Sequence, residues 1–96
     1  MIYSIEDIRR IVEPIARRHG VERVWLFGSY ARGEARPDSD IDLLIESGKI
    51  RTLFEFADFY LDLAEAFNLE LDVVEKEDLW EEFAEQVEKE EILIYG

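Results

Sequence analysis

The stretch Gly28-Ser29-Tyr30-Ala31-Arg32-Gly33-Glu34-Ala35-Arg36-Pro37-Asp38-Ser39-Asp40-Ile41-Asp42 holds the residue types that could do chemistry in this chain. Gly28 allows a sharp turn and close approach of backbone to a ligand. Ser29 can cap a following helix and turn backbone N–H groups toward an anion, which makes a phosphate seat. Asp40 and Asp42 stand two apart; on a strand that puts their Cα atoms roughly 6.5–7 Å apart with both side chains on one face. Their carboxylates can then share metal, and a pair of Mg ions held there would clamp a triphosphate and stabilise the attacking and leaving oxygens. The sequence has no Cys and a single His, so a metal here is expected to be a hard, oxygen-liganded cation. Asp72 is the candidate third acid, placed to take the proton of an acceptor hydroxyl. It interrupts the apolar run Leu71-Asp72-Val73-Val74, and a half-buried acid costs several kcal/mol unless paired or metal-bound.

These residues need elements to hold them. Ser4 with Asp7 reads as a capping box, and Ile5, Ile8, Ile11, Val12, Ile15 and Ala16 repeat at helical spacing behind it. Pro14 removes one donor and predicts a kink. Arg17, Arg18 and His19 suit the helix's negative end, and Gly20 its left-handed cap. Val21 to Phe27 is rich in β-branched and aromatic residues and predicts a strand running into Gly28. Residues 29–35 predict a short helical or turn segment, and 36–39 a loop. Asp40 to Ile45 predicts a second strand, with Ile41, Leu43 and Ile45 on one face and Asp40, Asp42 and Leu44 on the other.

After the break at Ser47-Gly48, the spacing predicts a helix over Thr52 to Phe67, a strand over Leu69 to Val74 and a helix over Asp78 to Lys89 striped by Leu79, Phe83 and Val87. Ile92 to Tyr95 can add an edge strand. The alternation predicts an α/β fold as one domain over residues 1–96, without internal repeats.

Composition narrows the classes. Ninety-six residues suit one modest core, and 48% apolar residues with six Phe, four Tyr and two Trp argue against disorder. No charged-then-apolar leader and no bilayer-length apolar run is present, so a cytoplasmic location away from membranes is expected. The net charge is −13, which disfavours direct binding to a nucleic-acid backbone. Residues 1–48 carry seven Arg against nine acids, while residues 49–96 carry four Lys or Arg against fifteen. The acidic half reads as a solvated surface, with a basic protein partner as the sharper alternative.

Gly28-Ser29, ten residues, Asp40-x-Asp42 and a later strand aspartate together resemble the nucleotidyltransferase superfamily of polymerase-beta type. Leu26-Phe27-Gly28-Ser29-Tyr30-Ala31-Arg32-Gly33 and Ser39-Asp40-Ile41-Asp42-Leu43 are similar to its minimal branch, the MNT proteins, over nearly the whole chain. The resemblance implies a small mixed β-sheet flanked by helices, ATP as substrate, Mg2+ as cofactor in two ions, and transfer of AMP to a hydroxyl with release of pyrophosphate. It implies Asp40, Asp42 and Asp72 as catalytic and metal-binding residues, with Gly28, Ser29 and Arg32 as nucleotide-binding. It also implies an antitoxin whose partner is a HEPN-type RNase toxin modified on a Tyr, in a homodimer or a hetero-oligomer with the toxin. Larger relatives continue into a helical acceptor-binding domain, so a protein acceptor is expected rather than a small molecule.

Blander readings stand beside these. A binding-only antitoxin acting by occlusion, or transfer to a small-molecule hydroxyl, are the alternative functions. Asp40 can cap a turn after Pro37, Asp42 can face water on an edge strand, and Asp72 can lie on a solvated strand face; Arg32 and Arg36 can be ordinary loop cations, and His19 a helix-terminal residue. Trp25 and Trp80 read as core, and Phe54, Phe56, Phe59, Tyr60 and Phe67 as a buried helix face.

Overall fold

The computed structural model describes residues 2–96. The chain opens with helix α1 (Ile5–His19), whose Ser4 and Asp7 form the expected reciprocal capping box. Gly20 closes it at φ +74, returning its N–H to Ala16 and Arg17 carbonyls. Pro14 lies inside this single helix, on its exposed side. Strand β1 (Arg23–Phe27) runs into the short helix α2 (Gly28–Arg32), and β2 (Ile41–Glu46) follows the loop. Helix α3 (Leu53–Phe67), capped by Thr52, leads to β3 (Leu71–Glu75). A 3-10 turn (Lys76–Asp78), helix α4 (Glu81–Glu90) and β4 (Ile92–Tyr95) complete it.

The four strands form one mixed sheet in the order β3-β2-β1-β4. β1 is antiparallel to β2 and to β4, while β2 and β3 are parallel, joined by the crossover helix that parallel neighbours require. β4 is an edge strand, as the sequence predicts.

Strand alternation divides the apolar residues between two unequal cores. Val24, Leu26, Ile41, Leu43, Ile45, Leu71 and Ile94 meet Ile8, Val12 and Ile15 of α1 and Phe59, Leu63 and Phe67 of α3 in the larger one. His19 Nε2 stands 2.6 Å from Asp62 Oδ2, tying α1 to α3, which agrees with a structural His19. On the opposite face Phe27, Leu44 and Val87 form a small cluster, edged by Trp25, Val74 and Leu79. There Lys76 pairs with Glu91 at 3.1 Å and lies 3.8 Å over the Trp25 ring, a cation–π contact that fastens the end of α4.

Several expectations need correction. Trp80 is 84% exposed rather than core, because the chain turns at residues 76–78 and α4 begins only at Glu81. Phe54 is 85% exposed: α3 turns Phe59, Leu63 and Phe67 inward, and Phe54 falls off that stripe. Within the fourth helix's expected stripe, Val87 is buried and Leu79 packs before the helix, but Phe83 is 48% exposed.

Candidate active site

The register of the sheet assembles the site. Phe27 lies opposite Asp42 across the β1–β2 pair, and Asp42 opposite Asp72 across the β2–β3 pair. Phe27, Asp42 and Asp72 therefore form one row on the face that carries α4, and Trp25, Leu44 and Val74 form a parallel row on the same face. Phe27 and Leu44 anchor α4 through Val87; Asp42 and Asp72 stand beyond them.

Asp42 is half-buried, whereas Asp40 and Asp72 are exposed, so the carboxylates make an open shelf. Asp72 is thus not the half-buried acid that its apolar neighbours suggest. β3 is an edge strand, and Asp72 lies outside the apolar cluster under α4. Its placement opposite Asp42 is what ties it to the site. Asp40 precedes β2 rather than beginning it, and a turn donating from Ser39 N–H to the Arg36 carbonyl at 2.9 Å sets its position.

Burial, then the charges of Asp72 and Asp40, push the Asp42 carboxyl up to about 6, against which Arg32 pulls it down. Asp42 therefore feels both of the other acids, and concentrated negative charge of this kind favours a cation.

Gly28 sits at φ +73, and a Cβ built there would overlap Asp42 Oδ2 and come 3.0 Å from Asp42 Cγ. The close approach that glycine permits here is to a carboxylate of the chain itself. Ser29 is not a helix cap. α2 begins at Gly28, its N-cap is Phe27, and no side chain closes that end. The Ser29 carbonyl instead accepts from the Gly33 and Glu34 N–H groups, fixing the turn after α2.

Arg32 Nε donates to Glu34 at 3.1 Å and its NH1 to Glu90 at 3.2 Å. These bonds, Glu34 before Glu90, hold the guanidinium above its ordinary pKa. Glu90, at the end of α4, is a contact to a predicted site residue that the sequence does not signal, since it stands in an acidic run. Phe83 of α4 packs edge-on against Phe27, ring centroids 6.5 Å apart, and so reaches the site row from the other end of the helix.

The donor set is oxygen only. Among the described residues, no three His, Asp or Glu side chains stand close enough together to hold a metal unaided. A hard cation here would take oxygen ligands from substrate phosphates as well as from the carboxylates.

The family model described as "Polymerase beta, Nucleotidyltransferase" matches residues 9–96. The protein adenylyltransferase MntA of Thermococcus cleftensis is 33% identical over 95 residues, covering 95% of this chain and 96% of its own length. An inferred protein adenylyltransferase of Methanocaldococcus jannaschii is 41% identical over 71 residues, 74% of this chain and 76% of that protein. Among solved structures, an inferred minimal nucleotidyltransferase superposes with TM-score 0.79 at 40% identity, covering 94% and 95% of the two chains. A toxin-antitoxin pair with AMP-PNP gives 0.77 at 21% identity, over 92% and 73%. A tri-AMPylated Shewanella oneidensis HEPN toxin in complex with its MNT antitoxin gives 0.71 at 18% identity, over 96% and 72%; these last two speak to the fold alone. The chain belongs to the polymerase-beta-type nucleotidyltransferase family, in its minimal branch, and is a nucleotidyltransferase enzyme.

Proposed function

We propose that this nucleotidyltransferase moves AMP from ATP to a protein hydroxyl, and that the acceptor is a Tyr of a HEPN-type toxin, making the chain an antitoxin. The observation that carries the chemistry is the register of Asp42 opposite Asp72 with Asp40 beside them. The acceptor is inferred from the family: the named relatives are protein adenylyltransferases, and a structurally similar MNT antitoxin is found with an AMPylated HEPN toxin.

Asp40 and Asp42, with Asp72, would hold Mg2+, whose chemistry when bound is to neutralise charge on the triphosphate. Gly28 and Ser29 would seat the phosphates, the glycine by keeping the space between turn and Asp42 clear. Asp72, being exposed, is open to an acceptor and would take its hydroxyl proton as that oxygen bonds the α-phosphorus and the bond to pyrophosphate breaks. Arg32 would reach phosphate by exchanging its Glu34 and Glu90 contacts for the ligand. A cytoplasmic location and a hetero-oligomer with the toxin follow from the same reading.

The test is incubation with α-labelled ATP, Mg2+ and a purified HEPN-type protein. Label should appear on a Tyr-containing peptide of the partner with the mass of AMP. Absence of label, with both proteins folded and bound to each other, overturns the proposal.

A further inference from the structure

We propose that the protein acceptor docks on the surface carrying Trp80 and Phe83, and that this surface takes a cationic segment presenting an apolar side chain. The inference rests on the reading of the chain as an enzyme acting on a protein hydroxyl, and it adds where that protein is held.

Three observations carry it. Trp80 is 84% exposed and Phe83 48% exposed; they line an open cleft of about 460 Å³ together with Asp78, Leu79, Glu82 and Gln86. Two aromatic side chains on one short segment are costly to leave in water and are typical binding anchors.

The charge around them is one-sided. Residues 77–88 hold Glu77, Asp78, Glu81, Glu82, Glu85 and Glu88 without a Lys or Arg, and none of the ten ion pairs among the described residues involves these six acids. Glu90 and Glu91, next along the same segment, are paired with Arg32 and Lys76. The helix thus neutralises its acids where it joins the fold and leaves them unpaired around the aromatics. Such a rim suits a basic partner and repels a triphosphate.

The third observation is place. Phe83 packs on Phe27, which stands opposite Asp42 and precedes Gly28. The cleft is thus joined through Phe83 and Phe27 to the row that carries Asp42, on the side where an acceptor hydroxyl is needed.

The test compares the whole chain with Trp80→Ala and with a double variant, Glu82→Lys and Glu85→Lys, each checked for folding by circular dichroism. Three affinities are measured: for AMP-PNP, for the purified HEPN-type protein of the transfer assay, and for a labelled amphipathic peptide of Lys and Leu with a Glu and Leu peptide as control. Trp80→Ala should weaken the protein and the Lys-Leu peptide about tenfold or more, as loss of a buried aromatic anchor does, with AMP-PNP affinity unchanged. The charge variant should weaken both and flatten their salt dependence. Unchanged affinity for both in Trp80→Ala overturns the proposal, as does failure of the parent chain to bind either one. A matching loss of AMP-PNP affinity also overturns it, since Trp80 would then belong to the nucleotide site. Trp80-dependent binding without AMP transfer would keep the docking surface and sink the transferase reading; transfer with an unaltered acceptor KM in Trp80→Ala would do the reverse.

Discussion

The two faces of the sheet are built from the same strands and differ in what covers them. Toward α1 and α3, Val24, Leu26, Leu43 and Ile45 are fully buried, and two fifteen-residue helices close the layer. Toward α4, a single ten-residue helix covers Phe27 and Leu44 through Val87 and leaves Asp42 half-buried and Asp72 exposed beside them. A strand alternates between faces, so every residue that serves the core fixes the aim of its neighbours. Leu43 and Ile41 are what turn Asp42 toward the α4 face, where the candidate site lies. The stability of one face thereby positions the chemistry of the other.

The sharpest way to break that division of labour is to replace the acids. Asp40→Asn with Asp42→Asn should lower AMP transfer by roughly 10³-fold, equivalent to several kcal/mol of lost charge stabilisation, with the circular dichroism spectrum retained. If neutralisation of the partner survived unchanged in this variant, occlusion rather than transfer would be the function.

The cores should separate by truncation. Phe59→Ala, at a fully buried site between α3 and the sheet, should cost about 3–5 kcal/mol in urea unfolding. Val87→Ala in the small cluster, where the neighbouring layer is thin, should cost about 1–2 kcal/mol. Similar losses at both sites would mean that the α4 face is as much a core as the other.

Gly28→Ala probes the seam between β1 and the site. Positive φ makes any side chain there strained, by about 1 kcal/mol, and the added carbon would meet the Asp42 carboxylate. Moderate loss of stability with a larger loss of transfer is expected, because Asp42 must rotate away from its place. Equal activity in the two proteins would show that the turn's close approach has no functional use.

Much of this was legible in the chain because local signals and periodicity agreed. The Ser4–Asp7 box, the Gly20 cap, the β-branched and aromatic run ending at Phe27 and the period-two alternation of Ile41 to Ile45 point to α1, β1 and β2 and put Asp42 on the face opposite the core. The α/β class and the mixed sheet follow from the same alternation and from the family resemblance. Register across strands is not written locally, and so neither Asp42 facing Asp72 nor Arg32 reaching Glu90 could be read from spacing. Trp80 and Phe54 are exposed against expectation for a related reason: an aromatic residue signals burial only where something stands opposite it. Asp72 was assigned to the site on a burial argument that its exposure removes. Its register with Asp42 now supports the same assignment on different grounds.

A small, pH-dependent effect is the most direct measure of how the two faces trade stability for chemistry. The Asp42 carboxyl is raised to about 6 by burial and by its two acidic neighbours, against 3.8 in an unfolded chain. Between those values the folded protein holds more protons than the unfolded one, so stability falls as pH rises from about 4 to 6 and stays reduced above. Asp42→Asn removes that penalty. In metal-free buffer the variant should be more stable than the parent by about 1–2 kcal/mol at pH 7, allowing for screening of a half-buried group, and the difference should vanish below pH 4. Millimolar Mg2+ with AMP-PNP should reverse the order, because ligand binding then stabilises only the chain that keeps its carboxylate. Thermal unfolding at pH 4 and pH 7, with and without the ligands, reads all of this; a variant less stable than its parent in metal-free buffer at pH 7 would mean that Asp42 is held by contacts that outweigh its repulsion.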